Sequence, residues 1–168
     1  MREAPIFTEG NLDSQNVAFW SKAEGRYELY YRKHNRPRTV DRIVSDDFLN
    51  WEHAPIAEPN LDSHEHLYTT QTHPYFRAPH IYIALPTRFT HGAVGGREVA
   101  GNIGSTDIML MTKRAGVDGF ARPFREAFIR PGVNPDRWGN RSNYVALNVV
   151  QTGPAEMSIY HCAGTRYV

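Results

Sequence analysis

The chain has 168 residues, 19 Lys and Arg against 18 Asp and Glu for a formal charge of +1, and a single cysteine. That is one ordinary soluble domain's worth of protein, and 40% hydrophobic residues suffice for a core. No apolar run reaches the ~18 residues that cross a bilayer, no Lys/Arg stripe offers a nucleic-acid footprint, and Cys162 alone can form neither an internal disulfide nor a thiolate metal cage. Met1-Arg2-Glu3-Ala4-Pro5 lacks the apolar stretch of a signal peptide, so the expected protein is soluble and cytoplasmic, without a nucleic-acid or membrane partner.

Strand patterns dominate, and the predicted fold is all-β. The first unit, about 11–57, starts with strands at 16–20 and 26–32 joined by a polar loop ending in Gly25. A third strand at 39–45 stops at Asp46-Asp47, and a short fourth around 50–53 stops before Pro55. The second unit, about 64–130, has strands at 67–74, 78–87, 106–113 and near 120–129, with a turn at Arg77-Ala78. Between its second and third strands, residues 91–105 hold five glycines and are expected to form a surface loop. A third unit, about 141–168, has a strand at 143–150, a turn at Gly153-Pro154 and a return at 156–161. Four-stranded antiparallel units in series, about two and a half of them, are the plan that builds propeller blades.

Several motifs stand in a suggestive order. Leu12-Asp13-Ser14-Gln15-Asn16-Val17-Ala18-Phe19-Trp20, then Gly25-Arg26-Tyr27, then Ser45-Asp46-Asp47-Phe48-Leu49-Asn50-Trp51-Glu52 resemble the five-bladed propeller superfamily of glycoside hydrolase families 32, 43 and 68. Tyr68-Thr69, Pro74-Tyr75, Pro86-Thr87-Arg88-Phe89, Arg130-Pro131-Gly132 and Glu156-Met157-Ser158-Ile159-Tyr160 extend the likeness to bacterial family 32-like proteins over nearly the whole chain. The resemblance implies that Asp13 corresponds to the carboxylate that stabilises the oxocarbenium-like transition state. It also implies that the blade bearing the nucleophilic Asp would precede residue 1. Where the family's acid/base Glu would fall, this chain has Thr72-His73-Pro74. Glycoside hydrolysis ordinarily needs two placed carboxyl groups, and only one aligns.

On the propeller reading, the starts of the innermost strands converge at one mouth of the central channel. Asp13 is the candidate catalytic or sugar-holding group there, with Gln15, Asn16, Tyr68, Thr70, His73, Arg88, Asn143 and Tyr144 as candidate ligand-binding residues. A concave polar site with aromatic rims suits sugars, whereas the plainer reading is that these groups satisfy one another. Five of the eight histidines fall within residues 64–91 but without a metal-ligand signature, so exposed loop histidines and no metal or other cofactor are expected. Cys162 is expected to be a buried, inert thiol. The Gly-rich Gly92-Ala93-Val94-Gly95-Gly96 lacks the context of a phosphate loop. Trp20, Trp51 and Trp138 are residues of the type that stacks on sugars, but two of the three sit in strand patterns where packing between blades is the expected role.

Three functions remain open. The favoured one is a saccharide-binding, non-catalytic propeller fragment descended from a glycosidase. The alternatives are an active glycoside hydrolase completed by oligomerisation and a truncated protein without a ligand. Open ends of a sheet stack call for closure, so a homodimer is expected, through residues 6–12, the outer face of the first unit and residues 146–168.

Overall fold

The computed structural model describes residues 4–9, 12, 15–33, 37–54, 56–57, 60–62, 65–91, 98–99, 102–132 and 143–162. Among them there is no helix, and every pairing between strands is antiparallel.

The first unit forms as its punctuation predicts. Strands β1 (Val17–Ser21), β2 (Arg26–Lys33), β3 (Thr39–Ser45) and β4 (Glu52–His53) make one sheet in the order β1-β2-β3-β4. Gly25 closes the first hairpin at φ 67°, in the left-handed region that glycine enters without steric cost, and donates its N–H to Ser21 O at 2.8 Å. Asp47 builds the β3–β4 connection. Its carboxylate accepts the backbone N–H groups of Asn50 and Leu49, both at 2.8 Å, and the Asn50 side-chain amide at 2.6 Å. Those donors hold its carboxyl well below the usual range.

The second unit keeps the predicted order but breaks each long run in two. The first run becomes β5 (Glu65–Leu67) and β6 (His73–Tyr75), and the second β7 (Ala78–Ala84) and β8 (Thr87–His91). The third becomes β10 (Asn102–Ile108) and β11 (Met111–Arg114), with a short β9 (Glu98–Val99) beside β10. One half-sheet runs β5-β8-β10-β9, the other β11-β7-β6. The ladder nevertheless carries across the break, since Ile108 lies opposite Thr87, Met111 opposite Ala84, and Met109 N–H reaches Pro86 O at 3.1 Å. Pro86 cannot donate to a ladder, which is where the second run bends.

Three expectations need correction here. The strand predicted near 120–129 is reduced to isolated antiparallel bridges, Ala121 with Thr112 and Ile129 with Ile108. Pro123 within that run removes a donor and disfavours continuous pairing. The stretch predicted as loop at 91–105 carries β9 and the start of β10, while 92–97 and 100–101, including the Gly-rich run, lie outside the described residues. The hairpin turn falls at Phe76-Arg77, one residue before the predicted site.

The third unit is a hairpin: β12 (Tyr144–Val145) pairs with β15 (His161–Cys162), and β13 (Val150–Gly153) with β14 (Glu156–Ser158). The turn lies at Pro154-Ala155, one residue after the predicted Gly153-Pro154, because Gly153 is still paired, with Glu156, as the last residue of β13. Asn148, at φ 84°, sits between β12 and β13.

Two cores flank the second unit. On one side Tyr30, Val40, Ile56, Leu67, Ala84, Met109 and Met111 pack with Phe19, Leu61 and Phe120. On the other Leu85, Ile108, Val145 and Val149 pack with Ile83, Leu110, Ile129 and Ile159. Along Ile83-Ala84-Leu85 and Ile108-Met109-Leu110-Met111 successive residues serve alternate cores, because side chains alternate faces along a strand. This is why those runs read as continuously apolar. Phe120 packs on the first of these cores, whereas Trp20 does not pack between sheets. Trp20 is 46% exposed and begins an aromatic row in which Trp20 meets Tyr27, Tyr27 meets Phe48, and Phe48 meets Trp51, with centroids 4.8–5.5 Å apart. Trp138 lies outside the described residues.

Candidate functional site

Three runs from different sheets meet at one side chain. Gln71, 2% exposed, donates its side-chain amide to Gln15 Oε1 at 2.9 Å and to Val145 O at 2.8 Å. It thereby joins the residue ahead of β1, the break between β5 and β6, and β12. Gln15 and Gln71 have φ of 62° and 49°, left-handed conformations that cost a residue bearing a Cβ. Beside this junction the rings of Tyr68 and Tyr144, both half-buried, stand 6.2 Å apart at 66°. The guanidinium carbons of Arg32 and Arg38 lie 4.4 and 5.4 Å from the Tyr68 ring centroid.

Most of the other candidates are taken up by structural tasks. Asp13 lies outside the described residues, as do Ser14, Arg141 and Ser142. Asn16 is exposed. Thr70 is buried, with its hydroxyl against that of Thr72. His73 donates from Nδ1 to Gln71 O at 2.9 Å and accepts the Val149 N–H at Nε2 at 3.0 Å, an assignment that leaves it neutral. Burial lowers its pKa, against the opposing effect of the Gln71 carbonyl. Asn143, 3% exposed, donates its amide to Thr106 O at 2.9 Å, while its own carbonyl accepts the Thr87 hydroxyl at 3.1 Å.

Arg88 is engaged by carboxylates of its own chain. It grips Asp107 with two hydrogen bonds of 2.8 and 2.7 Å and Glu65 with one of 2.5 Å. Arg122 reaches both oxygens of Glu65, at 2.7 and 2.8 Å. Burial would raise the Glu65 carboxyl, but hydrogen bonds from Arg122, the Asp62 amide and Arg88 outweigh it and hold the pKa at about 2.

A pH dependence follows, with signs that agree. His73 is kept neutral in the folded chain, so stability falls as pH drops through the ordinary histidine value of 6.5, where the unfolded chain takes up the proton first. Glu65 is kept ionised, so its contribution is present above about 4.5 and disappears as pH falls towards about 2. At ~1.4 kcal/mol per pKa unit, the drop from 4.5 to about 2 makes the Glu65 step on the order of 3–4 kcal/mol. Urea unfolding at pH 7.5, 5.5 and 3 checks this; equal midpoints at all three would contradict it.

The sequence reading missed a second polar centre, between the first and second sheets. Glu28, fully buried, accepts from Tyr82 at 2.6 Å and Tyr30 at 2.7 Å, and pairs with Arg42 at 3.3 Å and Lys113 at 3.9 Å. Lys113 also lies 3.7 Å from Glu24, whose carboxylate accepts the Gly116 N–H at 2.8 Å. Burial first, and then Glu28 through its charge at Tyr30 and its hydrogen bond at Tyr82, raises both tyrosines. Burial lowers Lys113 against the pull of Glu28. The available signal was alternation: Glu28, Tyr30 and Arg32 share the face of β2 that turns inward.

The histidines are not a loop cluster. His66 is on β5, His73 on β6, His80 on β7 and His91 on β8, while His64 lies outside the described residues. No three His, Cys, Asp or Glu gather in metal-binding geometry among the described residues. Cys162 is on a strand as expected but is exposed rather than buried. No helix among the described residues is long and apolar enough to cross a membrane. No protein-family model and no curated protein matches this chain.

Proposed function

We propose that this protein binds a saccharide at the mouth bordered by Gln15, Asn16, Tyr68 and Tyr144, on an all-β scaffold of propeller type with about two and a half blades. The observation that carries the reading is the Gln71 junction, where two left-handed residues, Gln15 and Gln71, are hydrogen-bonded to each other beside an edge-to-face tyrosine pair. Backbone strain held in place by surrounding contacts is characteristic of ligand sites. Half-buried aromatic rings with neighbouring amides match the apolar faces and hydroxyl edges of a sugar. Asp13 enters this proposal through the glycosidase resemblance alone.

Binding is favoured over hydrolysis by where the buried carboxylates are spent. Glu28 serves two tyrosines and two cations, Glu65 two arginines, and Asp41 the Arg42 N–H at 2.9 Å and Lys33 at 3.7 Å. A glycosidase instead needs two carboxyl groups flanking an open cleft. Calorimetric titration with a panel of oligosaccharides tests the proposal. Tyr68→Ala and Tyr144→Ala are each expected to weaken binding by about tenfold while the fold persists. Failure of the wild type to bind any saccharide would overturn the reading.

A homodimer belongs to the same proposal. It is supported by exposed apolar side chains on the third hairpin (Leu147, Val150, Met157, Tyr160) and on the first sheet (Trp20, Phe48, Leu49). Part of the expected N-terminal contact is already engaged within the chain, since the Phe7 and Tyr31 rings lie 5.9 Å apart. Light scattering at micromolar concentration measures the assembly directly, and a monomer would refute it.

A further inference from the structure

Building on the saccharide reading, we infer that the mouth selects acidic saccharides, those carrying a uronate carboxylate, and that Arg38 is the group that receives the carboxylate. Arg38 is fixed beside the tyrosine pair by its backbone: its carbonyl accepts the Leu67 N–H at 2.8 Å, one residue before Tyr68. Its guanidinium lies 5.4 Å from the Tyr68 ring centroid and makes no hydrogen bond or ion pair with another described residue. Arg42, Arg88 and Arg122 are spent on carboxylates of their own chain, at 2.5–4.0 Å. Arg38 therefore offers at the mouth a planar fork of donors that matches a carboxylate edge to edge.

The surroundings favour an anion as well. Arg32 brings a second guanidinium to the same ring at 4.4 Å. None of the described mouth residues Gln15, Asn16, Tyr68, Gln71 and Tyr144 is an Asp or Glu. A pyranose stacked at the tyrosine pair would present a ring carboxylate to Arg38, whereas a neutral sugar would leave those donors to water. Selectivity arises because the site's charge-assisted bond is absent from the neutral analogue.

The test uses the full chain and two probes, an oligogalacturonate and the same oligosaccharide with its carboxyl groups methyl-esterified, compared by calorimetry at low salt. The free acid is expected to bind at least tenfold more tightly than the ester, and the preference should shrink as salt is raised. Arg38→Gln is expected to bring the ratio of the two affinities close to one, and Arg38→Lys to keep part of it, with melting temperatures confirming that both variants fold. Equal binding of acid and ester by the wild type, or a ratio that survives Arg38→Gln, overturns the inference while leaving saccharide binding intact. Absence of binding to both probes and to every neutral saccharide removes the parent reading and this one together.

Discussion

Glu28→Gln is expected to lower the unfolding free energy by about 3 kcal/mol, which for a chain of this size corresponds to a fall of roughly 10 °C in melting temperature. Glu28 is fully buried and answers two buried cations, Arg42 and Lys113, as well as the hydroxyls of Tyr30 and Tyr82. The amide preserves the shape and one acceptor but removes the charge. Arg42 and Lys113 then have only Glu24 in common, 4.0 and 3.7 Å away. A buried pair contributes little relative to apolar residues of the same volume, yet removing one partner leaves an uncompensated charge. Combining Glu28→Gln with Lys113→Met should therefore recover part of the loss, a positive coupling readable in a double-mutant cycle. A single-variant loss below about 1 kcal/mol would mean that water or rearrangement already serves those cations.

Gly104→Ala is expected to cost about 3 kcal/mol, because one added methyl group has nowhere to go. Gly104 sits in β10 at φ 156°, opposite His91 of β8. A Cβ at this position would strike the Phe89 ring and stand 2.6 Å from the Thr90 carbonyl oxygen. The carbonyl is backbone within a ladder and cannot swing aside, and Phe89 is 5% exposed. Relief must come from bending the β8–β10 pairing. If the ring is the principal obstacle, Phe89→Leu should reduce the penalty of Gly104→Ala; if the carbonyl dominates, the penalty will persist in that background. Denaturant unfolding of the four chains of the cycle decides between them, and a neutral Gly104→Ala would show that the ladder yields easily.

Local punctuation determined much of the architecture directly from sequence. Gly25 closing the first hairpin, Asp46-Asp47 ending β3, and Pro154 opening the turn of the last hairpin each act through their own backbone chemistry, so their effects need no distant partner. The all-β class follows in the same way from short apolar runs between such residues. Where two runs are packed on both faces, as in Ile83-Ala84-Leu85 and Ile108-Met109-Leu110-Met111, composition marks the strand but is silent on which residue serves which core.

The tertiary structure decided what depends on who faces whom. Gln71 reads in sequence as one polar residue in Tyr68-Thr69-Thr70-Gln71-Thr72-His73, and only the approach of Gln15 and Val145 makes it the junction of three runs. Arg88 and His73 carry the residue types of a ligand site, yet carboxylates from β5 and β10 take the first, and backbone groups at Gln71 and Val149 take the second. The buried Glu28 centre arises between sheets whose members lie more than fifty residues apart in the chain, as the Tyr82 contact shows. Hydrogen-bond partners and burial are properties of pairs brought together by folding, whereas turn chemistry belongs to single residues and their neighbours; that is why the strands were legible in this sequence and the electrostatic connections between them were not.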